Sequence, residues 1–146
     1  MRTIGRLVLI TLPLYFLWEM AQAPAFIGMP DDGLAATGFC ALAAMADVVI
    51  VLALFAIGAC VFGGRRWFVP PRTRRYVAII VMGVALQVLL ERLAVDRLAL
   101  WGYQPWHPRV PWTGTGVIVL LQPAILLPLV FGLLAKWERR VTETSV

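Results

Sequence analysis

One histidine, His107, and two cysteines, Cys40 and Cys60, are all the imidazoles and thiols that 146 residues offer to a metal. Bis-histidine haem and histidine-rich metal centres are excluded on that count. A mixed carboxylate–histidine site stays open. The cysteines lie twenty residues apart in one apolar segment, roughly 30 Å along a helix, so they cannot bond each other. There is no C-x-x-C, which removes quinone-linked thiol oxidation, and no Gly-rich phosphate loop. Charge is scarce as well: 14% of residues, against about 25% in soluble domains.

What is present is apolar. The chain is 61% hydrophobic with a mean hydropathy of +0.84. Such a chain needs lipid as its solvent, and its length suits one domain of about four spans of ~20 residues each. The breaks between apolar runs predict an all-α, four-helix antiparallel membrane bundle with helices at about 4–26, 34–63, 76–100 and 113–137. "GMPDDG" turns the chain after the first span. "GGRRWFVPPRTRR" reads as a hydrophilic connector, and "WGYQPWHPRVPW" is too rich in proline for a helix. The start, "MRTIGRLVLITLPLYFLWEMAQA", has the outline of a signal peptide. Pro24 would follow the cut and block it, so the segment is expected to be a retained span.

Ten of the thirteen basic residues flank the N-terminus, the second connector and the C-terminus: Arg2, Arg6, Arg65, Arg66, Arg72, Arg74, Arg75, Lys136, Arg139 and Arg140. Four spans put those segments on one side, and the positive-inside rule makes that side cytoplasmic. The net charge of +5 then needs no nucleic acid. Anionic headgroups remain natural neighbours of the connector. Trp67 and Trp137 fall beside the basic residues, where an aromatic belt belongs. Trp101, Tyr103, Trp106 and Trp112 crowd the other side, where they suggest an ordered lid over the bundle.

Polar residues inside the spans form a pattern. At 1.5 Å per residue, Glu19 lies roughly 20 Å beyond Arg6, and Gln22 roughly 24 Å. Asp47 is roughly 24 Å from Gly63, Gln87 and Glu91 roughly 18 and 24 Å from Arg75, and Gln122 roughly 21 Å from Lys136. All four spans therefore bring polar groups to one layer in the outer half of a hydrocarbon core about 30 Å thick. Glu19 and Gln22 share a helix face at i, i+3, and Gln87 and Glu91 share one at i, i+4. Gly83 continues that second face and lets another helix approach. An acid facing lipid costs about 2.5–3.5 kcal/mol on insertion scales, so the acids should converge inside. Amides alone would serve as interhelical glue, and glue needs no acids. Arg92 and Asp96 are spaced to pair at the interface, with a reach from Arg92 to Glu91 or Glu19 as the alternative. His107 sits where it can either hydrogen-bond into the layer from above or rest at the interface.

"WEMAQAP", "AD" in the second span and "E…WGYQP…TGVIVLLQPAILLP" resemble a group of small, uncharacterised bacterial four-span proteins. The second half is also similar to the small subunits of carotenoid (lycopene-type) cyclases: Glu91, Asp96, Trp101, Tyr103, Gly116, Gln122 and Pro123 follow in that family's order. It departs from the pattern after Pro123, where "AILL" stands in place of acids. The resemblance covers roughly the last 60 residues of the chain and implies a bacterial inner-membrane protein acting on isoprenoids.

The residues alone point the same way. Glu19, Asp47 and Glu91 are the candidate acid–base residues, with Glu19 expected to meet Glu91 or Gln87. Two acids so close cannot both ionise cheaply, so one should keep a proton. Gln22, Gln87, Gln122, Trp18, Trp101 and Tyr103 are the candidate substrate-binding residues. No metal or cofactor is expected. The expected function is acid–base isomerisation or cyclisation of a lipid-like substrate. Two alternatives stand beside it. One is a non-catalytic accessory or lipid- or pigment-binding subunit, with a membrane-protein partner or a second copy. The other is a proton-coupled carrier.

Overall fold

The computed structural model describes residues 2–143, with side chains to residue 141. Four helices dominate: α1 (Arg2–Gln22), α2 (Gly33–Phe62), α3 (Thr73–Arg92) and α4 (Val117–Glu143). Together with the turns that extend them, all four are long and apolar enough to cross a membrane. The all-helical architecture and the number of spans agree with the sequence reading.

Helix ends differ from expectation where local chemistry intervenes. α1 stops at Gln22 rather than near 26, because Pro24 disfavours helix before it and forces a tight turn over Ala23–Ala25. α2 is bounded as a helix should be: the Asp32 carboxylate accepts from the Ala35 N–H at 2.8 Å, and Gly63 takes the left-handed conformation. α3 starts earlier than expected, at Thr73, and ends at Arg92. A wider helical turn, Leu93–Arg97, continues its course. α4 starts at Val117, not 113. The backbone just before it is held by a bridge from Arg109 to Gly116 and by the Val117 N–H donating to Pro108 O at 2.9 Å. Pro13, Pro123 and Pro128 lie inside helices without ending them.

The helices close into a ring in which α1 packs on α2 and α4, and α4 packs on α3, while α2 and α3 touch least. Thr3 and Arg6 meet Glu138, and Glu19 meets Gln122, so α1 and α4 are antiparallel and the start of α1 lies beside the last turns of α4. Gly83 explains the close α3–α4 approach: a Cβ there would collide with Leu127 and crowd Pro123 at 3.4 Å.

Trp67 overturns its expected place in an aromatic belt. It is 2% exposed and folds back with Phe68 into the core. Its indole N–H donates to Phe55 O at 3.1 Å, and its ring lies 4.9 Å from Phe131 and 5.6 Å from Phe62. Gly58 makes the seat, since any Cβ would strike the indole. Arg75 ties the plug to α3 by donating to Trp67 O at 2.7 Å. Two aromatic side chains of the connector thus fill the terminal half of the gap between α2 and α3. Trp137 is exposed, with the Arg6 guanidinium 5.6 Å over its ring.

Trp67→Ala is expected to lower stability by about 3–5 kcal/mol, the cost of emptying a large core site. Trp112→Ala, at a residue 90% exposed, should change it by less than about 0.5 kcal/mol. Denaturant unfolding of both variants in mild detergent measures the difference.

Candidate functional site

The other half of the α2–α3 gap is a cavity of about 190 Å³. Glu19, Gln22, Asp47, Gln87, Glu91, Trp101 and Gln122 line it together, with Phe26 and Phe39 among the apolar walls. Seven of the nine expected site residues therefore meet in one space. Trp18 and Tyr103 stand behind this wall, each bonded to a residue in it.

Hydrogen bonds organise the acids into two groups. In the first, the Trp18 indole donates to Gln22 Oε1 at 3.0 Å, and Gln22 Nε2 donates to Glu19 Oε1 at 2.8 Å. Gln122 Nε2 donates both to Glu19 Oε1 at 3.1 Å and to Asp47 Oδ2 at 2.8 Å. One amide nitrogen on α4 thus binds carboxylates from α1 and α2, which puts the two acceptor oxygens within about 6 Å of each other. In the second group, Glu91 Oε1 accepts from Trp101 Nε1 at 3.0 Å and from the Tyr103 hydroxyl at 2.6 Å. Glu19 is expected to meet Glu91 or Gln87 with Asp47 and Gln122 in the same cavity; all five line it, and the hydrogen bonds of Glu19 run to Gln22 and Gln122. Glu91 is turned towards the loop by its two aromatic donors.

The loop between α3 and α4 forms the roof. β2 (Gly102–Tyr103) pairs antiparallel with β1 (Phe26–Ile27), Phe26 opposite Tyr103 and Ile27 opposite Gly102. Gln104 extends the pairing by donating from its backbone to Ala25 O at 3.0 Å. The Tyr103 hydroxyl also accepts the Gly116 N–H at 2.9 Å, and the Arg109 guanidinium lies 5.0 Å over the Tyr103 ring. Burial first, and the bond to Glu91 second, push the Tyr103 phenol above its ordinary range, so it stays a donor.

His107 does not hydrogen-bond into the site. It is 4% exposed, and neither ring nitrogen has a hydrogen-bond partner among the described residues. Its ring packs edge-on against Tyr103 at 4.8 Å and Phe26 at 5.9 Å, in space left by the missing Cβ of Gly116. Desolvation, helped by the nearby Arg109 charge, lowers its pKa below the usual 6.5. Among the described residues no three histidine, cysteine or acidic side chains converge to hold a metal ion.

Glu138 is a buried acid that the layer argument misses. At the terminal end it accepts from Arg6 Nη1 at 2.9 Å and Thr3 Oγ1 at 3.1 Å, with Arg66 Nη2 at 3.5 Å. Its signal is a lone acid inside "KWERR", easily read as part of a solvated end. Arg92 pairs with Asp96 at 3.0 Å, exposed, and not with the cavity acids. No family model, curated protein or solved structure matches the chain.

The lid is expected to weaken in acid. His107 has a folded pKa below its unfolded 6.5, so its contribution to stability is complete above about pH 6.5 and is lost as pH falls through the lower folded value. Wild type should lose more unfolding midpoint between about pH 7.5 and pH 5 than His107→Phe does. Equal losses in the two proteins would contradict this.

Proposed function

We propose that this chain is an integral membrane protein of the bacterial cytoplasmic membrane, with both termini cytoplasmic, that moves protons on and off an unsaturated, isoprenoid-like lipid. The observation that carries the reading is the meeting of Glu19, Asp47 and Glu91, from three helices, around one cavity of about 190 Å³. Ionisable groups in such a layer are costly and are ordinarily found lining substrate or proton routes. No cofactor is needed for this chemistry.

Glu19 and Asp47, sharing the Gln122 amide, form the donor. A proton held on the pair relieves the repulsion between two carboxylates in a low dielectric. Transfer of that proton to one carbon of a double bond leaves a carbocation at the other. The ring of Trp101 borders the cavity beside it. Glu91, which presents itself as an acceptor towards Trp101 and Tyr103, then takes a proton from a neighbouring carbon. The double bond shifts, or a ring closes first, and no electrons are gained or lost overall. Glu91 then releases its proton to water and the pair takes up another, which resets the site.

The decisive experiment uses D₂O. Purified wild-type protein, reconstituted into bilayers of bacterial lipid extract in D₂O, should incorporate deuterium at carbon into one of those lipids, read by mass spectrometry. Glu19→Gln keeps shape and hydrogen bonding and should reduce incorporation about 10²–10⁴-fold, the usual worth of a general acid. A Glu19→Gln protein that folds and incorporates deuterium at the wild-type rate would reduce Glu19 to interhelical glue and favour a binding subunit. Topology has its own check: a cysteine at Asp31 should label from outside the cell and one at Thr73 only from within. Labelling of both from one side would overturn the orientation.

A further inference from the structure

The cavity has an open side, and its lining residues say where. Those contributed by α4, Val119 and Gln122, are buried, as are Gln22 and Glu91. Half-buried lining residues occur on α1 and the turn after it, as at Glu19 and Phe26, as well as on α2 and α3, as at Ala43 and Gln87, but the exposed one is Ala46, on α2, in the neighbouring pair of helices that touch least, α2 and α3. The mouth therefore lies on the side of the bundle between α2 and α3, within the apolar belt and beneath the lid. The lid closes the end of the bundle, with Trp101 fixed by Glu91 and set edge-on to Phe39 at 6.2 Å. Entry is sideways.

Size limits what enters. A dry cavity of about 150 Å³ holds a benzene ring. About 190 Å³ holds one compact end of a longer lipid, whose remainder must stay outside the mouth.

Gln87 then stands out. Glu19, Gln22, Asp47, Glu91, Trp101 and Gln122 are all engaged in hydrogen bonds within the protein. Gln87 is the one polar side chain of the lining without a partner among the described residues. It sits at the mouth, one turn below Glu91 on the same face of α3. An amide in an apolar layer is unfavourable until something bonds it, and both its oxygen and its nitrogen are free to do so.

We propose that the α2–α3 mouth admits the oxygen-bearing end of an isoprenoid alcohol or ketone, and that Gln87 recognises that oxygen while the chain of the lipid remains in the bilayer. This rests on the reading of the cavity as a lipid site and adds to it a portal, a polar group on the ligand and a specificity residue. Ala46, small and exposed at the rim, is the sill that keeps the portal open.

The test measures binding without turnover. Purified protein in lipid nanodiscs is labelled with a diazirine-bearing geranylgeraniol, in competition with geranylgeraniol or with the hydrocarbon of the same skeleton lacking the hydroxyl. Wild type should prefer the alcohol about tenfold, near the upper worth of one hydrogen bond. Gln87→Leu should bind both equally. Gln87→Met, closer in shape, replaces it if the leucine variant does not fold. Ala46→Phe should reduce labelling about tenfold or more for a blocked portal, and labelled wild-type peptides should come from α2 and α3. Equal binding of alcohol and hydrocarbon by wild type, a preference that survives loss of the amide, or full labelling of a folded Ala46→Phe protein would each overturn the proposal. Deuterium incorporation without any alcohol preference would sink this inference alone. Alcohol preference without deuterium incorporation would sink the catalytic reading and leave this one standing.

Discussion

One amide nitrogen, Gln122 Nε2, joins three helices by donating to Glu19 on α1 and Asp47 on α2 from its place on α4. Its importance follows from where it is. An apolar layer supplies no water to satisfy a carboxylate, so each acid must find donors within the protein. Gln122 is 2% exposed and cannot turn outward to solvent. Gln22 adds the next donor and is itself held by Trp18. The chain of bonds from Trp18 to Asp47 therefore fixes the rotation of α1, α2 and α4 about their axes. A helix turned by one residue, about 100°, would carry its polar group out of the layer's interior.

α3 is positioned by different means. On one side Gly83 lets Leu127 and Pro123 press directly against its backbone, which draws α3 towards α4. On the other side Trp67 and Phe68 stand between α2 and α3 at the terminal end, with Gly58 and Arg75 holding Trp67 in place. A helix pulled to one neighbour and wedged from another leaves a gap where the wedge ends. The cavity is that gap, and it reaches the loop end because Trp101 and Tyr103 close it there by bonding Glu91. The void is thus a consequence of packing at both ends of α2 and α3, not of missing side chains within it.

The span count and the polar layer are legible in the sequence because both depend on simple quantities: run length, and rise per residue measured from a basic flank. That arithmetic brings Glu19, Gln22, Asp47, Gln87, Glu91 and Gln122 to one level, and they line one cavity. The pairings within the layer are not legible. Axial height says nothing of the azimuth of a helix, so it brings Glu19 to the cavity without telling which of its neighbours there, the Gln22 and Gln122 amides, bond it. Trp67 is easily misread because a tryptophan between glycines and arginines looks interfacial. The seat that receives it is the missing side chain at Gly58, and nothing in the sequence singles that glycine out from its neighbours Gly63 and Gly64. Helix ends move where prolines and lid hydrogen bonds, which a hydropathy window does not register, take over the backbone.

The buried acids at the two ends of the bundle differ in the charge of their partners. Glu138 is met by Arg6 and Arg66, so its negative charge is balanced where it lies, and it ties the N-terminus and the connector to α4. The cavity acids are held by neutral donors: two glutamine amides, an indole and a phenol. Among the described residues no lysine, arginine or histidine lines the cavity. Neutral donors hold a carboxylate in position without compensating its charge. A proton, or a cation formed by transferring one, is what would supply the missing positive charge. An ion pair already complete, as at Glu138, has no such need. That contrast in partners, more than burial alone, separates Glu138, which anchors the bundle, from the acids around the cavity.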